Sequence, residues 1–360
     1  MSLEPTSERM IEEYRTASPQ SYLIYLFHIV TYDYVRDMVA GKTVLDFGCG
    51  SGYGTARIAE HCAKVVGIDI SADAVAYAKD KYRRGNLDYV AVPPVEQKAL
   101  PFADASFDVV LSFQVIEHVR DVNAYLSEIR RVLRPGGTFV VATPDRSSRL
   151  LPGQKPWNMW HLYEYSADAL RDVVARHFGD VRIKMMGGRP DVIALEARRT
   201  RSLRWILLPL TLPFMPEALR VAGLNLVRNL GRRLARPLAR KLTQEKPAAA
   251  TPADFGFGPE QLSISDREDP SVNLIAIARR SWLSSSPCDR RRWPSSDARR
   301  RASRRSDRRT PRWPCSARPA PWRHSGRTAP GSGAARSRKV IGSVSWDGLH
   351  PLSDGMWASA

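Results

Sequence analysis

Residues 44–55, Val-Leu-Asp-Phe-Gly-Cys-Gly-Ser-Gly-Tyr-Gly-Thr, place glycines at 48, 50, 52 and 54 directly behind a β-branched and apolar run. The run, Thr43–Phe47, reads as a strand, and Lys64–Ile70 reads as a second, with a helix-length segment between them. This is a β-α-β unit, and glycines at its first turn let a ligand approach the backbone at the carboxyl edge of a parallel sheet. A dinucleotide fingerprint wants glycine at 48, 50 and 53, but position 53 is Tyr, so a pyrophosphate-cradling loop fits poorly. A plain glycine-rich turn with no ligand is the competing interpretation.

The alternation continues along the chain. Helical spacing at Ala72–Tyr82 precedes a strand at Leu87–Val92, a buried-type strand at Phe107–Phe113, a helix at Val122–Val132 and a strand at Thr138–Ala142. Arg134-Pro135-Gly136-Gly137 reads as the turn between the last two. A helix at Ala167–His177 leads into a strand at Val181–Met186. Strict alternation predicts an α/β, doubly wound parallel sheet covered by helices on both faces. From Arg198 the pattern turns basic, with leucines at 226, 230, 234, 238 and 242 forming an amphipathic helix that Pro237 is expected to kink or break. Lys246–Ala253 reads as a linker, and Val272–Ala278 as the last strand, returning after a helical insertion.

Formal net charge is +18, from 55 Lys+Arg against 37 Asp+Glu, yet residues 1–280 hold 38 against 32 and the last 80 hold 17 against 5. The basic character therefore describes a tail, and a nucleic-acid partner for the body is not indicated. That tail, 281–360, carries 16 Arg, 16 Ser and 6 of the 9 Trp with no Glu, and reads as disordered or as GC-rich coding sequence out of frame. Four cysteines without CxxC spacing and no His cluster in sequence predict neither a structural zinc nor a disulfide framework, and no metal. The acidic N-terminus and the absence of a long apolar run favour the cytoplasm.

The glycine spacing resembles motif I of the class I S-adenosylmethionine-dependent methyltransferases. Further segments agree in order: Asp69 closing the second strand, Val95-Glu96-Gln97-Lys98-Ala99-Leu100-Pro101-Phe102, Phe107–Val110, Ser112–His118, and Leu133–Gly137. The resemblance is to the type 11 branch, which includes ubiquinone and menaquinone methyltransferases and sugar and glycolipid O-methyltransferases. It covers about residues 1–280, thinly between 198 and 250. It implies a Rossmann-like seven-stranded sheet with the last strand antiparallel, and S-adenosylmethionine as cofactor. The implied organisation is an N-terminal helical lid at 1–40, a cofactor-binding core at 41–197, a basic helical insertion and linker at 198–270, and the last strand at 271–280.

The resemblance also distributes roles. Asp46, Gly48, Gly50 and Gly52 would form the cofactor loop, and Asp69, with Ile70 beside it, would meet the ribose hydroxyls, a helix cap being the plainer alternative for Asp69. Glu96 and Gln97 would face the adenine, and Gln114 would line the cofactor after the fourth strand. His118 is the candidate general base, with Asp145 orienting it or binding a substrate hydroxyl; a structural histidine is the alternative. His161, Tyr163 and Tyr165, in the aromatic segment 158–166, would lie near the acceptor, or simply pack. Tyr14, Tyr22, Tyr25 and His28 fall on the lid, where packing is the simpler account.

The activity implied is methyl transfer to a hydroxyl of a sugar, glycolipid or polyketide-like lipid. Carbon methylation of a quinone-type precursor is the nearest rival, and a scaffold bound to RNA through the tail is a reading of another class. The arginine-rich helix at 226–242 either caps the acceptor pocket or touches an anionic membrane surface.

Overall fold

Each central strand sends neighbouring residues to opposite sides of the sheet, so both faces must be covered. In the computed structural model, which describes residues 10–12, 15–242 and 252–281, helices α1 (Pro19–Tyr34) and α2 (Arg36–Val39) precede β1 (Thr43–Phe47). Then follow α3 (Tyr53–Ile58), β2 (Lys64–Asp69), α4 (Ala72–Lys81), β3 (Leu87–Ala91), β4 (Phe107–Phe113), α5 (Val122–Val132) and β5 (Leu133–Pro144). The second half holds α6 (Arg146–Arg149), α7 (Ala167–Ala175), β6 (Gly179–Gly188), α8 (Pro190–Ile206), α9 (Glu217–Leu242), β7 (Leu262–Ser265) and β8 (Asn273–Arg279).

The strand order is β3-β2-β1-β4-β5-β8-β6-β7. Strands β1 to β5 pair in parallel, while β8 runs antiparallel to both β5 and β6. The chain moves outward from β1 to β3 and then returns to place β4 beside β1, which opens a crevice at the carboxyl ends of those two strands. One core holds Leu45, Val110, Phe139, Val141, Leu274 and Ala276 against α5 and α7. Their chain neighbours Val44, Val109, Leu111, Val140 and Ile275 face the other core, with Leu23, Leu26 and Phe27 of α1. The helix expected as a lid is therefore a wall of the core, and Ser18 caps it by accepting from the Ser21 amide.

Four boundaries differ from the sequence reading. The seven expected strands are joined by an eighth, β7, which comes from within the insertion and pairs antiparallel with β6 at the sheet edge. Arg134–Gly137 does not stand outside the strand as a turn: β5 begins at Leu133, and its register shifts against β4 between Phe107 and Val109 to absorb the extra residues. Helix α8 crosses the expected division at 197/198. Helix α9 starts at Glu217 and continues through Pro237 to Leu242; a proline removes one bond from the ladder, and a helix this long keeps the rest. Among the described residues no helix is long and apolar enough to cross a membrane. Most of the linker at 246–253 and all of the tail from 282 onward lie outside the described residues.

Candidate active site

Strand β1 ends under a loop in which Gly48, Gly50 and Gly52 all have positive φ. A Cβ on Gly52 would stand 2.6 Å from the Ala78 Cβ and 2.9 Å from the Tyr89 ring, so close packing onto α4 and β3 requires glycine there. Gly50 differs: its φ is +54° and a Cβ would meet nothing within 4 Å. Packing does not explain glycine at 50; the backbone conformation and the open space above it do.

Asp69, at the end of β2, holds this loop. Its Oδ2 accepts from the Gly50 amide at 2.9 Å and its Oδ1 from the Ser71 amide at 2.8 Å. Each carboxylate oxygen has two acceptor sites, so both can take a further donor from a bound ligand. Ser71, not Asp69, caps α4. Ile70 is 70% exposed beside Asp69, an apolar side chain left at the rim of the cradle.

Asp46 lies behind the loop and is buried. Its Oδ2 accepts from the Tyr32 hydroxyl at 3.0 Å and the Thr55 hydroxyl at 2.6 Å, tying α1 and α3 to β1. Its Oδ1 has no partner, and burial pushes the carboxyl up to about 6 despite these two donors. Near it, His28 Nδ1 bonds the Tyr53 hydroxyl, and burial pushes the His28 imidazole down to about 4.

On the other side of the crevice, Gln114 follows β4 with φ +58° and donates its amide to the Ala142 carbonyl at 2.8 Å. A non-glycine residue in this region signals a locally constrained turn. Glu96 and Gln97 are exposed in the segment before β4, and Glu96 Oε1 lies 3.4 Å from the Asp121 amide.

The turn Ile116–His118 then brings two histidines together. The rings of His118 and His161 are 4.9 Å apart, edge to face. His118 Nδ1 lies 3.1 Å from the Trp160 carbonyl oxygen, and His161 Nδ1 lies 2.8 Å from Glu164 Oε1. Glu117 is fully buried; its Oε2 accepts from the Thr143 hydroxyl at 3.0 Å, while Oε1 has no hydrogen-bond partner. A carboxylate oxygen of Glu117 and a ring nitrogen of each histidine lie within 4.8 Å of one another.

Asp145 does not orient His118. It is the N-cap of α6, with Oδ1 accepting from the Ser147 amide at 2.8 Å and the Ser147 hydroxyl at 2.5 Å. A side chain following a strand and preceding a helical turn satisfies the nearest orphan amides first. Tyr165 is buried and bridges to Asp145 through the backbone, and Tyr163, half exposed, packs edge-on to it at 4.7 Å.

The support for the histidine pair was not foreseen. Glu164 is buried and receives Arg149 Nε at 3.0 Å, and Arg149 also approaches Glu196 at 3.5 Å. Burial alone would raise the Glu164 carboxyl, but the Arg149 guanidinium and the His161 ring hold it down at about 2. Arg220 of α9, also buried, donates to the backbone carbonyls of Pro156 at 2.6 Å, Asn158 at 3.2 Å and His161 at 3.3 Å. The 156–161 loop is thus held by an arginine about 60 residues downstream. His118 and His161 were each singled out in the sequence, whereas Glu117, Glu164, Arg149 and Arg220 were not.

The match of residues 45–141 to the family described as "Methyltransferase domain" runs from β1 through most of β5. Over these residues the chain is similar to that family. It is 40% identical over 153 residues to a probable S-adenosylmethionine-dependent methyltransferase of Mycolicibacterium smegmatis, covering 41% of this chain and 55% of that protein. It is 35% identical over 178 residues to a probable S-adenosylmethionine-dependent methyltransferase of Mycobacterium tuberculosis, covering 49% and 63%. A ubiquinone biosynthesis O-methyltransferase of Mesorhizobium japonicum is 33% identical over 144 residues, covering 36% and 57%. The chain thus spans 55–63% of the length of these relatives.

Proposed function

We propose that this chain transfers a methyl group from S-adenosylmethionine to a hydroxyl oxygen of a small acceptor: a sugar, a glycolipid or a polyketide-like lipid. The observation that carries the reading is the pairing of an open glycine cradle with a histidine pair in one crevice. Gly50 and Asp69 present open backbone and unspent carboxylate lone pairs at the carboxyl edge of β1 and β2, which suits a ribose-bearing, phosphate-free cofactor. When bound, the cofactor supplies a methyl group already activated on a sulfonium. The similarity to proteins named as S-adenosylmethionine-dependent methyltransferases supports the same choice.

The protein's remaining task is to position the acceptor and remove its proton. A backbone carbonyl can only accept, so the contact with Trp160 places the His118 proton on Nδ1 and its lone pair on Nε2. In this reading Nε2 takes the hydroxyl proton. His161 and Tyr163 would contact the acceptor, and Tyr165 would support them from below.

A second surface favours a lipid-bearing acceptor. Trp205, Ile206, Phe214, Leu219, Leu226 and Leu230 are all more than half exposed on α8, α9 and the segment between them, with basic Arg201 also exposed. An apolar face with a cationic fringe suits peripheral contact with anionic lipid. Purified protein given methyl-labelled cofactor and fractionated lipid, polysaccharide and small-molecule extracts should label an alkali-stable methyl ether in a glycolipid or sugar fraction. Label on carbon of a quinone-like product, or none in any fraction, overturns the reading.

A further inference from the structure

We propose that Glu117, His118 and His161 form a binding site for one divalent transition-metal ion of the zinc class. Two nitrogen donors and one carboxylate oxygen lie within 4.8 Å of one another. In a tetrahedral site with bonds near 2.0–2.1 Å the donors stand about 3.4 Å apart, so a modest inward rotation of the partly exposed His118 ring closes the set. Three protein ligands leave a fourth position for water or an acceptor oxygen.

Two further observations point to a cation. First, Glu117 Oε1 is buried without a hydrogen-bond partner. Leaving such an oxygen unsatisfied costs the desolvation of the group, a cost that a bound cation removes. Second, the back of each ring is tied to an acceptor: His118 Nδ1 to the Trp160 carbonyl at 3.1 Å, and His161 Nδ1 to Glu164 at 2.8 Å. That arrangement puts the proton on Nδ1 and the lone pair on Nε2, as in metal-ligating histidines, whose far nitrogen is held by a carbonyl or carboxylate. Arg149 and Thr143 anchor the two carboxylates in turn. The mixed nitrogen and oxygen donors suit zinc-class ions better than magnesium or calcium, which prefer oxygen alone.

The site deepens the methyl-transfer reading and rests on it in one respect: Nε2 of His118 can hold a cation or receive a proton, but not both. Occupancy would therefore remove the base and suppress turnover, and a chelator would restore it.

Cobalt(II) serves as the probe, because its visible absorption reports nitrogen and oxygen ligation directly. The full chain, freed of metal, is titrated with cobalt and then with zinc, and in a separate cell with S-adenosylmethionine. One equivalent of cobalt should bind with intense visible bands that zinc displaces. His161→Ala and Glu117→Gln should each weaken cobalt uptake tenfold or more while keeping the melting transition; the glutamine retains an acceptor for the Thr143 hydroxyl. No uptake, or uptake unchanged in both folded variants, overturns the site. Cobalt binding without cofactor binding overturns the methyl-transfer reading and leaves the site standing; cofactor binding without cobalt does the reverse.

Discussion

His161 Nδ1 and Glu164 Oε1 are 2.8 Å apart, and the Glu164 carboxylate is clasped from behind by Arg149. One buried carboxylate thus sets the orientation of a ring in the candidate active site and neutralises a buried guanidinium.

Glu164→Gln should therefore be costly. It leaves Arg149 buried without the carboxylate that its Nε meets directly, with Glu196 and the more distant Glu117 as remaining counter-charges, and breaking one partner of a buried pair costs about 3–5 kcal/mol. Chemical denaturation should show a lower midpoint at unchanged slope. In the wild type the depressed Glu164 carboxyl contributes stability that is present above its unfolded value of 4.5 and is lost as pH falls toward about 2. The stability gap between wild type and variant should narrow over that window.

Asp46 and His28 should give opposite pH dependences. The Asp46 carboxyl is raised from 3.8 to about 6, so between those values the folded state holds a proton the unfolded state has released, and stability falls as pH rises. The His28 ring is lowered from 6.5 to about 4, so there the unfolded state holds the extra proton and stability rises with pH. Against wild type, Asp46→Asn should gain ground from pH 4 to 6 and His28→Gln should lose it. Thermal melts across that range check both signs, and parallel curves would remove both assignments.

Asp69→Ala should weaken S-adenosylmethionine binding by about 1.5–3 kcal/mol, the scale of a charge-assisted hydrogen bond lost at a partly buried site. Gly50→Ala should weaken it through strain at φ +54° and by filling the open space, with little disturbance of the neighbours. Gly52→Ala should instead destabilise the fold, because its Cβ meets Ala78 and Tyr89. Calorimetry and melting temperature separate the two classes.

His118→Ala should lower kcat by about 10²–10⁴ with cofactor affinity nearly constant, if its Nε2 takes the acceptor proton. A small loss of rate would assign catalysis to proximity alone. Collapse of cofactor binding would make His118 part of the cofactor pocket's architecture.

What was legible in the sequence was local. The β1-α3-β2 unit, and β4 with α5, follow from short apolar runs, glycine spacing and caps, each pattern contained in a window of fewer than 30 residues. Strand β7 carried a signal too, the alternating Leu262-Ser263-Ile264-Ser265, but four residues outside a βα repeat do not announce a sheet edge. The histidine pair was partly legible, since His118 and His161 were each singled out, while their meeting depends on a loop path set by Arg220. Asp145 as the partner that orients His118 was misread because its side chain caps the amide two residues on, and position after a strand does not distinguish a cap from a catalytic partner.

Arg220 reads the 156–161 loop through carbonyl oxygens, which every residue type presents alike. This part of the loop's hold is therefore insensitive to which side chains the loop carries. Trp160, partly exposed, can be exchanged while the backbone that carries His161 stays in register with α9; Trp157 is tied down separately, with Arg149 4.4 Å over its ring. With the arginine in α9 as a fixed mould, a change at position 160 alters the surface beside His161 and leaves the backbone beneath it in place.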